Sequence, residues 1–316
     1  MSLSVRHDDE IGPPVPFDPE LVDALSGIAA GNLPESLTDQ DLSLNGAYTV
    51  SERLVLGPPG APPVSLLICR PTGASSAVPA LYFMHGGGMV RGTNRGQGAG
   101  EAHAAAAELG MLFVSVEYRL APEHRHPAPV DDCYAGLTWT AEHAEELGID
   151  PDRIVVGGGS VGGGLAAAVA LLARDRRGPR LAGQMLLCPM LDDRNDSYSA
   201  RQMDGHGVWD RTANQMGWRA LLGDAQGTPD VSPYAAPARN ADWSDLPPAF
   251  IDVGSAETFR DEAVDYASRI WRAGGSAELH VWPGGFHGFG YLAPDAAISR
   301  TARAAMVPWL RRVVRR

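Results

Sequence analysis

The sequence predicts an α/β chain built on a mainly parallel sheet with helices on both faces. Short continuous apolar runs, such as ALYFM (80–84), MLFVSV (111–116) and AFIDV (249–253), alternate with stretches whose apolar residues recur at helical spacing. Strands that are apolar on both faces belong to parallel sheets buried between helix layers, because a half-solvated antiparallel strand would alternate apolar with polar. Glycine and proline punctuate the joints between these runs.

The elements follow in order. Pro13, Pro14, Pro16 and Pro19 predict an extended arm over residues 1–20. Leu21, Val22, Leu25 and Ile28 then predict a helix to residue 30, N-capped by Asp18. Residues 31–50 are polar and turn-rich. Strands are expected at 53–56 and 64–69, separated by GPPGAPP, then at 80–84, 111–116, 154–156, 185–188, 249–253 and 278–282. Helices are expected at 101–109, 131–147, 165–174, 263–273 and 296–314. One stretch breaks the rhythm: residues 191–248 contain no clear sheet strand but carry Trp209, Trp218, Trp243 and a helical piece at 211–222. A structureless loop of that length is improbable, so the stretch reads as an inserted helical subdomain.

With 316 residues, 44% of them hydrophobic, the chain can bury a large core. Its net charge of −12 gives none of the dense positive surface that phosphate backbones require, which excludes nucleic acid as an expected partner. Cys69, Cys133 and Cys188 are far apart, odd in number and form no CxxC pair. Cys69 and Cys188 lie in apolar runs, which points to buried free thiols and a reducing compartment. The polar N-terminus has no apolar signal core, and no run of about 18 apolar residues occurs. The expected location is the cytoplasm.

Two glycine-rich joints carry chemistry. Gly158-Gly159-Ser160-Val161-Gly162 fits G-x-S-x-G between a strand and a helix. A serine there sits on a sharp turn, with small neighbours that allow close approach and a helix N-terminus aimed at developing negative charge. Gly157, Gly159 and Gly162 also fit the dinucleotide pattern G-x-G-x-x-G. That reading requires an acidic residue after the next strand, about 20 residues on. Asp192 and Asp193 come too late, and the reading leaves Ser160 unexplained. The second joint is His85-Gly86-Gly87-Gly88, directly after strand 80–84. Backbone amides of such a loop stabilise a tetrahedral oxyanion, and Gly86, Gly87 and Val161 are the expected donors. His85 is read as a brace for the loop.

The general base should follow the last strand, where His287 stands in VWPGGFHGFG. His124 and His126 form an H-x-H without further spaced ligands, so no metal site is expected. The orienting acid should follow strand 249–253. Glu257 is favoured there, with Asp261 in reserve; Asp252 lies inside the strand. The chain order is then Ser, Glu, His.

Five stretches together resemble the bacterial hormone-sensitive-lipase-like esterases of the α/β-hydrolase superfamily: HGGGMVRGT, VSVEYRLAPEHRHPAPVDDCYAGLTW, RIVVGGGSVGGGLAAAVALLARD, LPPAFIDVGSAETFRDE and FHGF. The resemblance covers most of residues 50–315. It implies an α/β-hydrolase fold with an eight-stranded sheet and a helical cap. The cap would join residues 1–50 to an insertion at 191–245, with catalytic segments at 51–190 and 246–316. It further implies hydrolysis of short- to medium-chain acyl esters, no cofactor or metal, and homodimers through the last strand. Two departures stand out. The family elbow usually reads G-D-S-A-G, whereas Gly159 here removes a carboxylate beside the nucleophile and Val161 replaces a small alanine. Glu257 also stands where Asp is commoner.

The rival expectation is a catalytically weak or inactive hydrolase-fold protein that binds small molecules. Met89, Val208 and Trp209 are the candidate lining of a substrate pocket, with Trp209 read equally well as an anchor of the cap.

Overall fold

The computed structural model describes residues 11–29, 36–96 and 98–315. Residues 1–10 of the expected arm and residues 30–35 lie outside them. Eight strands form one sheet: β1 (Tyr48–Val55), β2 (Val64–Pro71), β3 (Val78–Met84), β4 (Leu112–Glu117), β5 (Ile149–Gly159), β6 (Gly183–Leu187), β7 (Ala249–Gly254) and β8 (Ala277–Trp282). Their order is β1-β2-β4-β3-β5-β6-β7-β8. β2 is antiparallel to both its neighbours, and every other pairing is parallel. This is the eight-stranded, mostly parallel α/β-hydrolase sheet.

The helices are α1 (Pro19–Ala29), α2 (Asp39–Ser43), α3 (Ala99–Ala107), α4 (Ala128–Glu142), α5 (Ala144–Leu147), α6 (Val161–Asp175), α7 (Tyr198–Gln202), α8 (Arg211–Leu222), α9 (Arg260–Arg272), α10 (Phe289–Leu292) and α11 (Ala297–Val313). The twofold alternation of strand side chains sorts them into two layers. On β3, Ala80, Tyr82 and Met84 point to the layer of α4, α6 and α9. Leu81 and Phe83 point to the layer of α3 and α11. Both faces are therefore apolar, as the continuous runs require. All three cysteines are buried and free.

Between β6 and β7 the described residues contain no sheet strand, only α7, α8 and two 3₁₀ turns. The N-terminal segment reaches this insertion: Gly12 N–H donates to Tyr198 Oη at 2.8 Å, and Gln202 Nε2 donates to Pro13 O at 2.8 Å. Asp18 begins α1, its Oδ1 accepting from Glu20 N–H at 2.8 Å. Its own N–H donates to Gly284 O at 3.0 Å, which ties the arm to the loop carrying His287. Leu21 of α1 packs with Phe286 and Phe289 of that loop, and Phe17, Leu25 and Val208 flank them.

Candidate active site

β5 ends at Gly159 and α6 begins at Val161, so Ser160 alone makes the turn. Its backbone lies at φ 58° and ψ −123°, a conformation that costs about 1–3 kcal/mol for a residue with a side chain. Neighbouring backbone holds it there. Ser160 N–H donates to Leu187 O at 2.8 Å, and Ser160 O accepts from Met190 N–H at 3.0 Å. The turn also requires Gly162, where a Cβ would lie 2.0 Å from Met84 O. α6 can thus press against the end of β3, the strand that leads into the glycine loop.

Ser160 Oγ lies 2.9 Å from His287 Nε2. His287 Nδ1 lies 3.4 Å from Glu257 Oε2. That is longer than the ~2.7–2.9 Å of a charge-assisted hydrogen bond. Neither Glu257 oxygen nor His287 Nδ1 has another partner among the described residues. Glu257 stands in the loop after β7, His287 in the loop after β8, and both are buried. Phe259 meets the His287 ring edge-on at 5.0 Å and limits its rotation.

The other candidate acids point elsewhere. Asp252 accepts from the Trp282 indole at 3.3 Å. Asp261 accepts from Ser199 N–H at 2.7 Å and pairs with Arg260, holding α7 against α9.

Gly86 and Gly87 occupy the loop after β3, and neither N–H has an acceptor among the described residues. Val161 N–H belongs to the first turn of α6, where helical donors lack internal partners. Gly87 adopts φ +125°, and a Cβ there would lie 1.8 Å from Arg91 O. The loop therefore cannot keep its shape with any other residue at that position. His85 braces it: its ring stacks on Tyr118 at 4.2 Å, and its Nδ1 lies 2.8 Å from Gly86 O. Burial lowers the His85 pKa to about 4, so the ring is neutral at physiological pH.

The three pocket candidates fall in different places. Met89 is buried in the main core at φ +71°. Val208 flanks Phe286 beside α1. Trp209 lies against Gly88, where a Cβ would come within 2.2 Å of its ring. Its carbonyl accepts from Thr258 Oγ1 at 2.8 Å. Trp209 thus bridges the glycine loop and the loop of Glu257.

The chain matches the alpha/beta hydrolase fold family over residues 81–291. It is 36% identical to carboxylesterase NlhH of Mycobacterium tuberculosis over 254 residues, 78% of each chain. The chain belongs to this family. Within it, the sequence and fold place this hydrolase among the hormone-sensitive-lipase-like esterases. The solved structure of a bacterial heroin esterase superposes with a TM-score of 0.86 at 38% identity, covering 95% of this hydrolase and 98% of that chain. Esterase LipW of Mycobacterium marinum gives 0.80 at 30% identity, covering 95% and 92%.

Sequence reasoning missed what lies behind the hydrolase's elbow. A Cβ on Gly159 would meet nothing within 4 Å. A cavity of about 30 Å³ lies beside it, lined by Glu101, Cys188, Asp252 and Tyr291 among others. Burial pushes Glu101 up to about 8 and Asp252 up to about 7, each helped by a neighbouring carboxylate. Burial, with Glu257 and Asp252 nearby, also keeps the Cys188 thiol protonated. These residues come from α3, β7 and the end of β6, and no local motif joins them. No metal site was expected from the sequence, yet one donor atom from each of Cys188, Glu257 and His287 falls within 4.8 Å of the other two.

Proposed function

We propose that Ser160, His287 and Glu257 act as a nucleophile–base–acid triad in the hydrolysis of short- to medium-chain acyl esters. The protein is a carboxylic ester hydrolase, as its family membership and its similarity to carboxylesterases indicate. The observation that carries the triad is the strained Ser160 turn with His287 Nε2 at 2.9 Å from Oγ. Ser160 O–H donates to Nε2 at rest. As Oγ attacks the ester carbonyl, His287 takes the proton, and Glu257 stabilises the imidazolium from the Nδ1 side. The oxyanion that forms receives N–H donors from Gly86, Gly87 and Val161. His287 then protonates the departing alcohol, leaving an acyl group on Ser160. A water, deprotonated by His287, releases the acid and restores the enzyme. Each step uses groups of the protein, substrate and water only.

The arm before β1 and the insertion at 191–245 form a cap over these loops, a reading supported by the Gly12–Tyr198 and Pro13–Gln202 contacts. Trp209, which lies against the glycine loop, limits acyl length from within it. β8 is the outer strand of the sheet and offers its free edge to a second copy of the chain. No described helix is long and apolar enough to cross a membrane, and the cytoplasm is the proposed location. Hydrolysis of p-nitrophenyl esters from acetate to long acyl chains tests this function. Turnover of the short esters that vanishes in Ser160→Ala is expected. No turnover by folded wild type would favour a small-molecule binding protein.

A further inference from the structure

The base side of the triad contains more potential ligand atoms than catalysis uses. Glu257 is fully buried, yet neither of its oxygens has a hydrogen bond among the described residues, and His287 Nδ1 has none. Cys188, at the C-terminal end of β6, brings a thiol to the same place. One donor atom from each of the three residues lies within 4.8 Å of the others. Two further carboxyl groups, Asp252 and Glu101, line the adjoining cavity, whose volume of about 30 Å³ is enough for about one water.

We propose that Cys188, Glu257 and His287 form a binding site for a soft divalent cation, Zn²⁺ or Cd²⁺, whose occupation switches the hydrolase off. The effect on activity rests on the triad reading above; the site itself does not. A thiolate, an imidazole nitrogen and a carboxylate are a donor set suited to such ions. The thiolate and carboxylate together balance the charge of the cation, and imidazole adds none. Tetrahedral zinc holds its donors about 2.0–2.3 Å away and so about 3.5 Å from one another, close to the 3.4 Å between His287 Nδ1 and Glu257 Oε2. A water from the cavity can supply the fourth ligand.

Inhibition follows from imidazole chemistry. With the cation on Nδ1, a neutral ring carries its proton on Nε2. That proton faces Ser160 Oγ across 2.9 Å, and the ring can no longer accept the serine proton. Glu257 is simultaneously drawn from its orienting role. Binding releases the Cys188 thiol proton to solvent, and no electron transfer is involved.

The test titrates the full chain with Cd²⁺, following the ultraviolet charge-transfer band of cadmium thiolate and ester hydrolysis in parallel. Wild type should develop the band at one ion per chain, lose activity at least tenfold, and recover with a chelator. Cys188→Ala should keep its basal activity, show no band and resist the ion. A Cys69→Ala/Cys133→Ala double variant should behave as wild type. Ser160→Ala should still develop the band, which separates the metal site from the catalytic assignment. Should Cys188→Ala not fold, Cys188→Ser serves instead, with its hard hydroxyl raising the inhibitory concentration at least tenfold. No band in wild type, or a band and sensitivity unchanged when Cys188 is replaced, would overturn the proposal.

Discussion

The two halves of the proposed catalytic site are built differently. On the donor side, the loops after β3 and β5 are shaped by backbone. Gly87 lies against Arg91 O, Gly162 against Met84 O, and Ser160 is held by hydrogen bonds to Leu187 and Met190. On the base side, the loops after β7 and β8 also meet through backbone, with Ala256 N–H donating to Gly285 O at 3.1 Å, but the side-chain pair they carry is looser. Glu257 and His287 are buried but 3.4 Å apart, beside a cavity lined by carboxyls and a thiol. The contrast teaches where precision resides. An oxyanion site needs fixed dipoles, which backbone supplies without reorganisation. A base must shuttle protons, and a looser pair closes when charge develops on the imidazole.

The largest expected effect comes where the halves meet. Ser160→Ala should lower kcat by about 10⁴–10⁶-fold in a folded protein, measured by steady-state ester hydrolysis. Glu257→Gln tests the base side alone and should cost about 10⁴-fold in kcat. Asp261→Asn, at a carboxylate that pairs with Ser199 of α7 and with Arg260, should change kcat little. Equal losses in the two variants would break the assignment of Glu257. Gly87→Ala tests the donor side and should reduce kcat by about 10²–10³-fold with a smaller change in KM.

Trp209→Ala removes the bridge between the halves. Its cost in stability should be about 3–5 kcal/mol, read from denaturant unfolding, with preference shifted toward longer acyl chains. An unchanged chain-length profile in a folded variant would leave Trp209 as an anchor only.

The smallest expected effect concerns His85, which titrates near 4 in the folded protein against about 6.5 when unfolded. Between those values the unfolded chain binds the extra proton, so stability falls as pH drops from 6.5 to 4. The His85 contribution is on the order of 3 kcal/mol, and His85→Asn should lose that slope in pH-dependent unfolding.

The same contrast governs how much could be read from the sequence. Backbone devices leave local signatures, so HGGG and G-x-S-x-G point to the proposed donor side, and chain order points to His287 and favours Glu257. The sequence pattern starts α6 late, at 165 rather than 161, because Gly162, Gly163 and Gly164 are poor helix formers. They are retained because a Cβ would lie 2.0 Å from Met84 O at Gly162 and 2.1 Å from Met190 O at Gly164, while Pro189 packs tightly on Gly163. β1 was placed at 53–56 rather than 48–55: it is an edge strand with mostly exposed residues, and its apolar pattern is weak. The single helix expected at 131–147 is two, α4 and α5, divided at His143. Glu101, Cys188 and Asp252 left no local signature, since only tertiary packing brings them together.

The proposed triad requires Ser160 Oγ to carry the acyl group, and one measurement addresses this directly. The protein is reacted with a fluorophosphonate and its peptides are analysed by mass spectrometry. A single stoichiometric adduct on Ser160 is expected, formed in step with loss of esterase activity and absent from His287→Ala at the same exposure. Activity that persists without an adduct on Ser160, or an adduct on another residue that accompanies the loss, would contradict it.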